Sequence, residues 1–251
     1  MKKSRMGVAI VLNVTLILLL FTVLYFLYNP QPIADHLMHT YGGTSSDLSL
    51  SIEQEFEGFK YFTRGKGSRA ILVIPGGAFV RTLIDFTPFD AFYEDYTVII
   101  TTYPIRFECS VDKAIRHLQQ LVQHLSTVYS KLTLLGYSAG AYIGTKAIYA
   151  TTYVDSFIGL NGYYGYTSID DPFIQMTDFL YIREGPSQPL NIPTLFTHST
   201  QDILKDSSIA YAQLCGSKSK QFVGGHLLLY DLKHNKSLIQ TMLQFLKNLD
   251  A

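Results

Sequence analysis

Tryptophan is absent from this 251-residue chain, cysteine occurs only twice, and charged residues make up just 16% of it. Two cysteines, Cys109 and Cys215, exclude a disulfide-stapled scaffold and a cysteine-based zinc site. Lys plus Arg and Asp plus Glu balance at 20 each, so no basic excess advertises nucleic-acid binding, and there is no acidic tail. Neither an internal repeat nor a low-complexity block interrupts the sequence. What is plentiful is apolar surface: 47% hydrophobic residues, with 18 Tyr and 16 Phe. That is enough to bury a sizeable core in a single domain with a small appendage.

The appendage is N-terminal. Lys2, Lys3 and Arg5 precede a run from Met6 to Tyr28 that holds no charged residue. A helix of that length, at about 1.5 Å per residue, covers a hydrocarbon core of roughly 30 Å. The alternative is a cleaved signal peptide, but Leu24-Tyr25-Phe26-Leu27-Tyr28 is bulky where a cleavage site needs small residues. Positive charge on the N-terminal side predicts a cytoplasmic N-terminus and an extracytoplasmic main domain, lumenal or extracellular. Residues 1–29 are therefore expected to form a cytoplasmic stub and transmembrane signal-anchor. Asn29-Pro30-Gln31-Pro32 breaks the helix, and 30–47 read as a polar, Gly- and Ser-containing linker to a domain spanning 48–251.

Within that domain, Leu48, Leu50, Ile52 and Phe56 alternate with polar residues, as a half-exposed antiparallel edge does. Wholly apolar strands are expected at 70–74 and 97–102. A helix follows, capped by Ser110, with Val111, Ala114, Ile115, Leu118, Leu121, Val122, Leu125 and Val128 on one face. Further strands are predicted at 131–135, 154–160 and 194–197, and helices from Ser138 to about Tyr149, at 203–215 and at 232–249. Buried strands alternating with amphipathic helices make a three-layer α/β domain, a mostly parallel sheet with helices on both faces.

Gly136-Tyr137-Ser138-Ala139-Gly140 matches G-x-S-x-G directly between an apolar strand and a helix. That context is a nucleophile elbow, a tight turn that lifts the serine hydroxyl above the sheet. Pro75-Gly76-Gly77 ends an earlier strand, and glycines there let backbone N–H groups approach a developing oxyanion. Gly76 or Gly77, with the N–H of Ala139, are the candidate donors. A serine hydroxyl needs a base, and the base an orienting acid, in the chain order Ser, acid, His. Asp202, just past the strand 194–197, is the candidate acid, with Asp206 as its rival inside the next helix. The loop after the preceding strand offers Asn161 instead of a carboxylate. His226, following Val223-Gly224-Gly225, is the candidate base, and His234 the alternative. His198 reads as a turn residue.

These segments resemble the α/β-hydrolase superfamily, and within it the esterase/lipase branch related to hormone-sensitive lipase. The resemblance runs from roughly Ala70 to the C-terminus. It includes Gly76-Gly77, Tyr103-Pro104-Ile105, Val111-Asp112-Lys113-Ala114, the elbow, and the Asp202/His226 pair. Pro75 departs from it, since that branch usually has His before the glycines. An N-terminal anchor with an external catalytic domain is similar in layout to arylacetamide deacetylase-like esterases. The resemblance implies an aromatic lid at about 162–189, a segment that includes Tyr163, Tyr164, Tyr166, Phe173, Phe179 and Tyr181.

The implied activity is hydrolysis of a small-molecule or lipid carboxylic ester by a Ser138–His226–Asp202 triad, with no metal or organic cofactor. Amide or peptide hydrolysis on the same triad is the alternative, and a catalytically dead, membrane-displayed recognition domain is a third. Cys109 and Cys215 are expected near opposite edges of the sheet, and so unpaired. Asn235-Lys236-Ser237 is an N-glycosylation sequon, meaningful in a eukaryotic secretory compartment.

Overall fold

The computed structural model describes residues 15–22, 25, 50–57, 59–77, 85–102, 111–165 and 188–249. Among these residues eight strands form one sheet: β1 (Ile52–Phe56), β2 (Phe59–Arg64), β3 (Arg69–Ile74), β4 (Tyr96–Thr101), β5 (Lys131–Tyr137), β6 (Ser156–Leu160), β7 (Thr194–Ser199) and β8 (Ser219–Phe222). Their order across the sheet is β1-β2-β4-β3-β5-β6-β7-β8. Antiparallel pairing joins β1 to β2 and β2 to β4, and every other pair is parallel. Four α-helices accompany it among the described residues of the domain: α1 (Val111–Ser126), α2 (Ala139–Ile148), α3 (Lys205–Leu214) and α4 (Lys236–Asn248).

Strand periodicity decides which core each side chain joins. In β3, Leu72 and Ile74 face a layer built from Leu118, Leu121 and Val122 of α1, Ile143 and Ala147 of α2, and Tyr211 and Ala212 of α3. Ile71 and Val73 of the same strand face the other layer, where Phe89 and Phe92 of a 3-10 helix (Thr87–Phe92) meet Leu238, Met242 and Leu246 of α4. Each such side chain, fully buried, stabilises the fold by roughly 1.5–3 kcal/mol before entropy is counted. Covering both faces explains why Ala70–Ile74 of β3 is a continuous apolar run.

Several local expectations need correction. β2 and β8 were not legible as strands in the sequence. Val128 lies beyond the end of α1 and is exposed. His198 is a buried residue of β7, and its Nδ1 lies 2.8 Å from the Ser219 Oγ. The pairing of β7 with β8 carries the strand on to Ser199. Tyr164, expected in a lid, is fully buried and stacks on Tyr211, so it belongs to the core. Asn235 is also buried, and its Nδ2 donates to the Leu229 carbonyl at 2.7 Å. The folded sequon therefore offers no accessible acceptor amide.

Residues 15–22 are helical, with Leu16 to Phe21 exposed. Among the described residues no helix is long and apolar enough to cross a membrane. Residues 6–14, 23, 24 and 26–28 of the uncharged run, the linker at 30–47, Cys109, Ser110 and residues 166–187 of the expected lid lie outside the described residues. Cys215 carries a free thiol, and its Sγ accepts the Leu190 N–H at 3.4 Å.

Candidate active site

Ser138 stands between β5 and α2 at φ 55°, ψ −124°, a conformation L-residues rarely adopt. Such backbone strain costs about 1–3 kcal/mol and persists only where surrounding structure enforces it. Enforcement here is visible in the hydrogen bonds. The Ser138 N–H donates to the Leu160 carbonyl at 3.1 Å, and the Tyr163 N–H donates to the Ser138 carbonyl at 3.0 Å. The flanking glycines are a matter of space. A Cβ on Gly136 would sit 2.5 Å from the Ala141 Cα, and one on Gly140 would sit 2.2 Å from the Ile74 carbonyl oxygen. The elbow is thus wedged between its own helix and the neighbouring strand.

Three side chains meet above the sheet. The Ser138 Oγ lies 3.0 Å from the His226 Nε2, and the His226 Nδ1 lies 2.9 Å from the Asp202 Oδ1. The Asp202 side chain is fully buried, whereas that of His226 is 30% exposed. Asp202 Oδ1 also accepts the Leu204 N–H at 2.9 Å, so one carboxylate oxygen both organises the approach to α3 and holds the imidazole. Its Oδ2 is buried without a hydrogen-bond partner among the described residues. The loops that carry Asp202 and His226 are stitched together by the Gln201 N–H on the Gly224 carbonyl at 2.9 Å and the Thr200 N–H on the Phe222 carbonyl at 2.8 Å.

The turn after β3 passes directly against the serine. Gly76 and Gly77 are buried, and a Cβ on Gly76 would lie 2.9 Å from the Ser138 Cβ. Ala139 opens α2 beside them, where helix geometry leaves backbone N–H groups without intrahelical partners.

Solved structures share this arrangement of strands and helices. An α/β-hydrolase enzyme from the metagenome of sediments of the Mar Chica lagoon, Morocco, superposes with a TM-score of 0.61 at 18% identity, covering 80% of this chain and 100% of that one. A lipase-esterase related protein from Clostridium acetobutylicum gives 0.62 at 17%, covering 74% and 99%. The thioesterase domain from the curacin biosynthetic pathway gives 0.55 at 12%, covering 77% and 98%. The fold is that of the α/β-hydrolases. No model of a known protein family matches the sequence, nor does any curated protein sequence.

On this α/β-hydrolase fold the rival residues fall outside the cluster. Asp206 is exposed in the first turn of α3, and His234 is exposed, with its Nδ1 2.8 Å from the Asp231 Oδ2. No group of three or more metal-ligating side chains forms among the described residues. Two neighbours escaped the sequence reading. The Tyr137 hydroxyl donates to the His226 carbonyl at 2.6 Å, and the Asn161 Nδ2 donates to the same oxygen at 2.7 Å. The only signals available were a tyrosine in the variable slot of the elbow and a lone polar residue after β6.

Proposed function

We propose that this chain is a serine hydrolase that cleaves carboxylic esters, tethered to a membrane by its N-terminal segment. One relay carries the proposal: Ser138 Oγ to His226 Nε2 at 3.0 Å, and His226 Nδ1 to Asp202 Oδ1 at 2.9 Å. His226 takes the proton of Ser138 as Oγ attacks the ester carbonyl. The carbonyl oxygen becomes an oxyanion beside Gly76, Gly77 and the N-terminus of α2, where backbone N–H donors of Gly77 and Ala139 stabilise it. As the tetrahedral intermediate collapses, His226 returns the proton to the departing alcohol. Water then repeats the sequence on the acyl-enzyme, with the same base. Asp202 keeps the imidazole in the tautomer whose Nε2 can accept, and stabilises the imidazolium that forms.

Ester chemistry is preferred because the lipase-esterase related protein from Clostridium acetobutylicum and an arylesterase share the fold. The sequence resemblance to the branch related to hormone-sensitive lipase points the same way. Membrane tethering rests on the uncharged run from Met6 to Tyr28 behind Lys2, Lys3 and Arg5. A fluorophosphonate probe should label Ser138, and p-nitrophenyl esters of increasing acyl length should define the substrate range. Ser138→Ala should abolish labelling and lower turnover by about 10⁶. Labelling that survives in Ser138→Ala would overturn the assignment. Alkaline carbonate extraction tests the tether, since release of the intact chain into the supernatant contradicts it.

A further inference from the structure

His226 has no regular element to hold it. It lies between β8 and a 3-10 turn, Leu228–Tyr230, preceded by two glycines that lend no side chain. The hydrogen bond at its Nε2 must also break in each turnover, as the proton passes from Ser138 to the leaving group. Something must keep the backbone still while that happens. Its carbonyl accepts two side-chain hydrogen bonds, from the Tyr137 hydroxyl at 2.6 Å and the Asn161 Nδ2 at 2.7 Å. The two donors come from the C-terminal ends of adjacent parallel strands, β5 and β6.

We propose that Asn161 and Tyr137 are positioning residues that clamp the His226 carbonyl and thereby aim its imidazole. This rests on His226 being the general base. Asn161 is built for the task. Its Nδ2 also reaches the Gly225 carbonyl at 3.3 Å, and its Oδ1 accepts the Ser199 hydroxyl at 3.1 Å. Both amide hydrogens are thus spent on the base loop. Turning the amide over would set its oxygen against two carbonyl oxygens. The residue is 4% exposed and held at φ 45°, while its N–H still donates to the Thr197 carbonyl at 3.1 Å. Asn tolerates that left-handed conformation better than most residues. An aspartate of the same shape would present a carboxylate to two carbonyls and no donor. Asn161 therefore serves the backbone of the base, and the acid that serves its ring comes from β7.

Tyr137 ties the clamp to the nucleophile. It immediately precedes Ser138, its ring is fully buried against Tyr230, and the ring centroid lies 5.4 Å from that of His226. Nucleophile and base are therefore positioned from one strand end.

The test compares the wild-type chain with Asn161→Gly, Tyr137→Phe, Asn161→Asp and the Asn161→Gly/Tyr137→Phe double variant. Glycine keeps the left-handed backbone without strain, and phenylalanine keeps the ring packing. Fluorophosphonate titration counts active sites in each protein, and kcat and KM for a p-nitrophenyl ester are then expressed per titrated site. Each single variant is expected to lower kcat per site by about 10- to 100-fold, the effect of a small misplacement at the reacting atoms. KM should stay within about threefold, and Asn161→Asp should be slower than Asn161→Gly. The double variant should lose less than the product of the single losses, because both donors serve one carbonyl. Wild-type kcat per titrated site in both single variants overturns the proposal. So does a loss that fewer titrated sites fully account for, which is what a purely structural role produces. If Asn161→Gly fails to fold, Tyr137→Phe alone decides. A wild-type chain unlabelled at Ser138 removes the catalytic reading and this one with it, a result distinct from labelled variants that turn over normally.

Discussion

An alanine at position 76 would bring its Cβ to 2.9 Å from the Ser138 Cβ, where ordinary contact begins near 3.4 Å, so about 0.5 Å must be found. The Ser138 backbone cannot retreat, because its N–H and carbonyl are both bonded across the elbow. The displacement therefore falls on the serine side chain and its 3.0 Å contact with His226. Misplacing a nucleophile on that scale costs on the order of 10- to 100-fold in turnover. Position 140 makes the contrast. There a Cβ would meet the Ile74 and Pro75 carbonyl oxygens at 2.2 and 2.3 Å, which are main-chain atoms of the central sheet and its turn. Relief requires β3 and α2 to part by roughly 1 Å in a close-packed core, at a cost of about 3 kcal/mol or more. For a domain of this size each kcal/mol lowers Tm by about 2–4 °C. Gly76→Ala should keep Tm within about 3 °C of wild type while kcat falls; Gly140→Ala should lose about 6–12 °C or fail to accumulate. Circular-dichroism melts and kcat per titrated serine measure the two effects. Wild-type turnover in Gly76→Ala, or equal losses of Tm in both variants, would refute the reasoning.

Asp202→Asn should lower kcat by roughly 10³–10⁴, through the wrong histidine tautomer, while Asp206→Asn leaves it unchanged; the reverse pattern would move the acid to Asp206. Burial lowers the His117 pKa to about 4, so the unfolded chain binds a proton there that the native chain refuses. Its contribution to stability is present above about pH 6.5 and is lost as pH falls toward about 4. His117→Leu should flatten melting temperature against pH across that window, and an unchanged slope counts against it. Asp85 is shifted the other way, its carboxyl raised by burial although its Oδ1 accepts the Thr87 N–H at 2.9 Å. Native protein then holds the proton at pH values where the unfolded chain has released it, so stability falls as pH rises through and above about 4. Asp85→Asn should melt higher than wild type at pH 7 and level with it near pH 3.5; equal Tm at both values would rule this out.

That Ser138, Asp202 and His226 come together was legible because each stands where a pattern changes. Lys131 to Tyr137 has strand character, Ala139 onward has helical character, and only a turn centred on Ser138 joins them. Asp202 and His226 follow in the order that parallel strands impose. Strand β8 was not legible because its stability comes from neighbours and not from its own composition, whereas β2 carries the β-formers Phe59, Tyr61, Phe62 and Thr63 without the apolar alternation that marks a strand. β8 is Ser-Lys-Gln-Phe with one buried residue, and nothing local distinguishes it from a loop. His198 was misread for the same reason, because its partners Ser219 and Gln221 are more than twenty positions away. Asn161 was seen as a missing carboxylate. That it works through a carbonyl depends on a backbone angle and on a loop 64 residues distant, and neither has a signature in its immediate neighbours.

His226 follows a short edge strand of the sheet. β8 is four residues long, lies at the edge, and has a single parallel neighbour. Edge segments open with free energies far below that of global unfolding. If β8 parts from β7, the loop that bears His226 loses its anchor on that side and depends on the Tyr137 and Asn161 donors at its carbonyl. On the proposed reading, heat should therefore weaken turnover before it melts the apolar layers. Cooling from below the melting point should then return activity without the chain ever having unfolded.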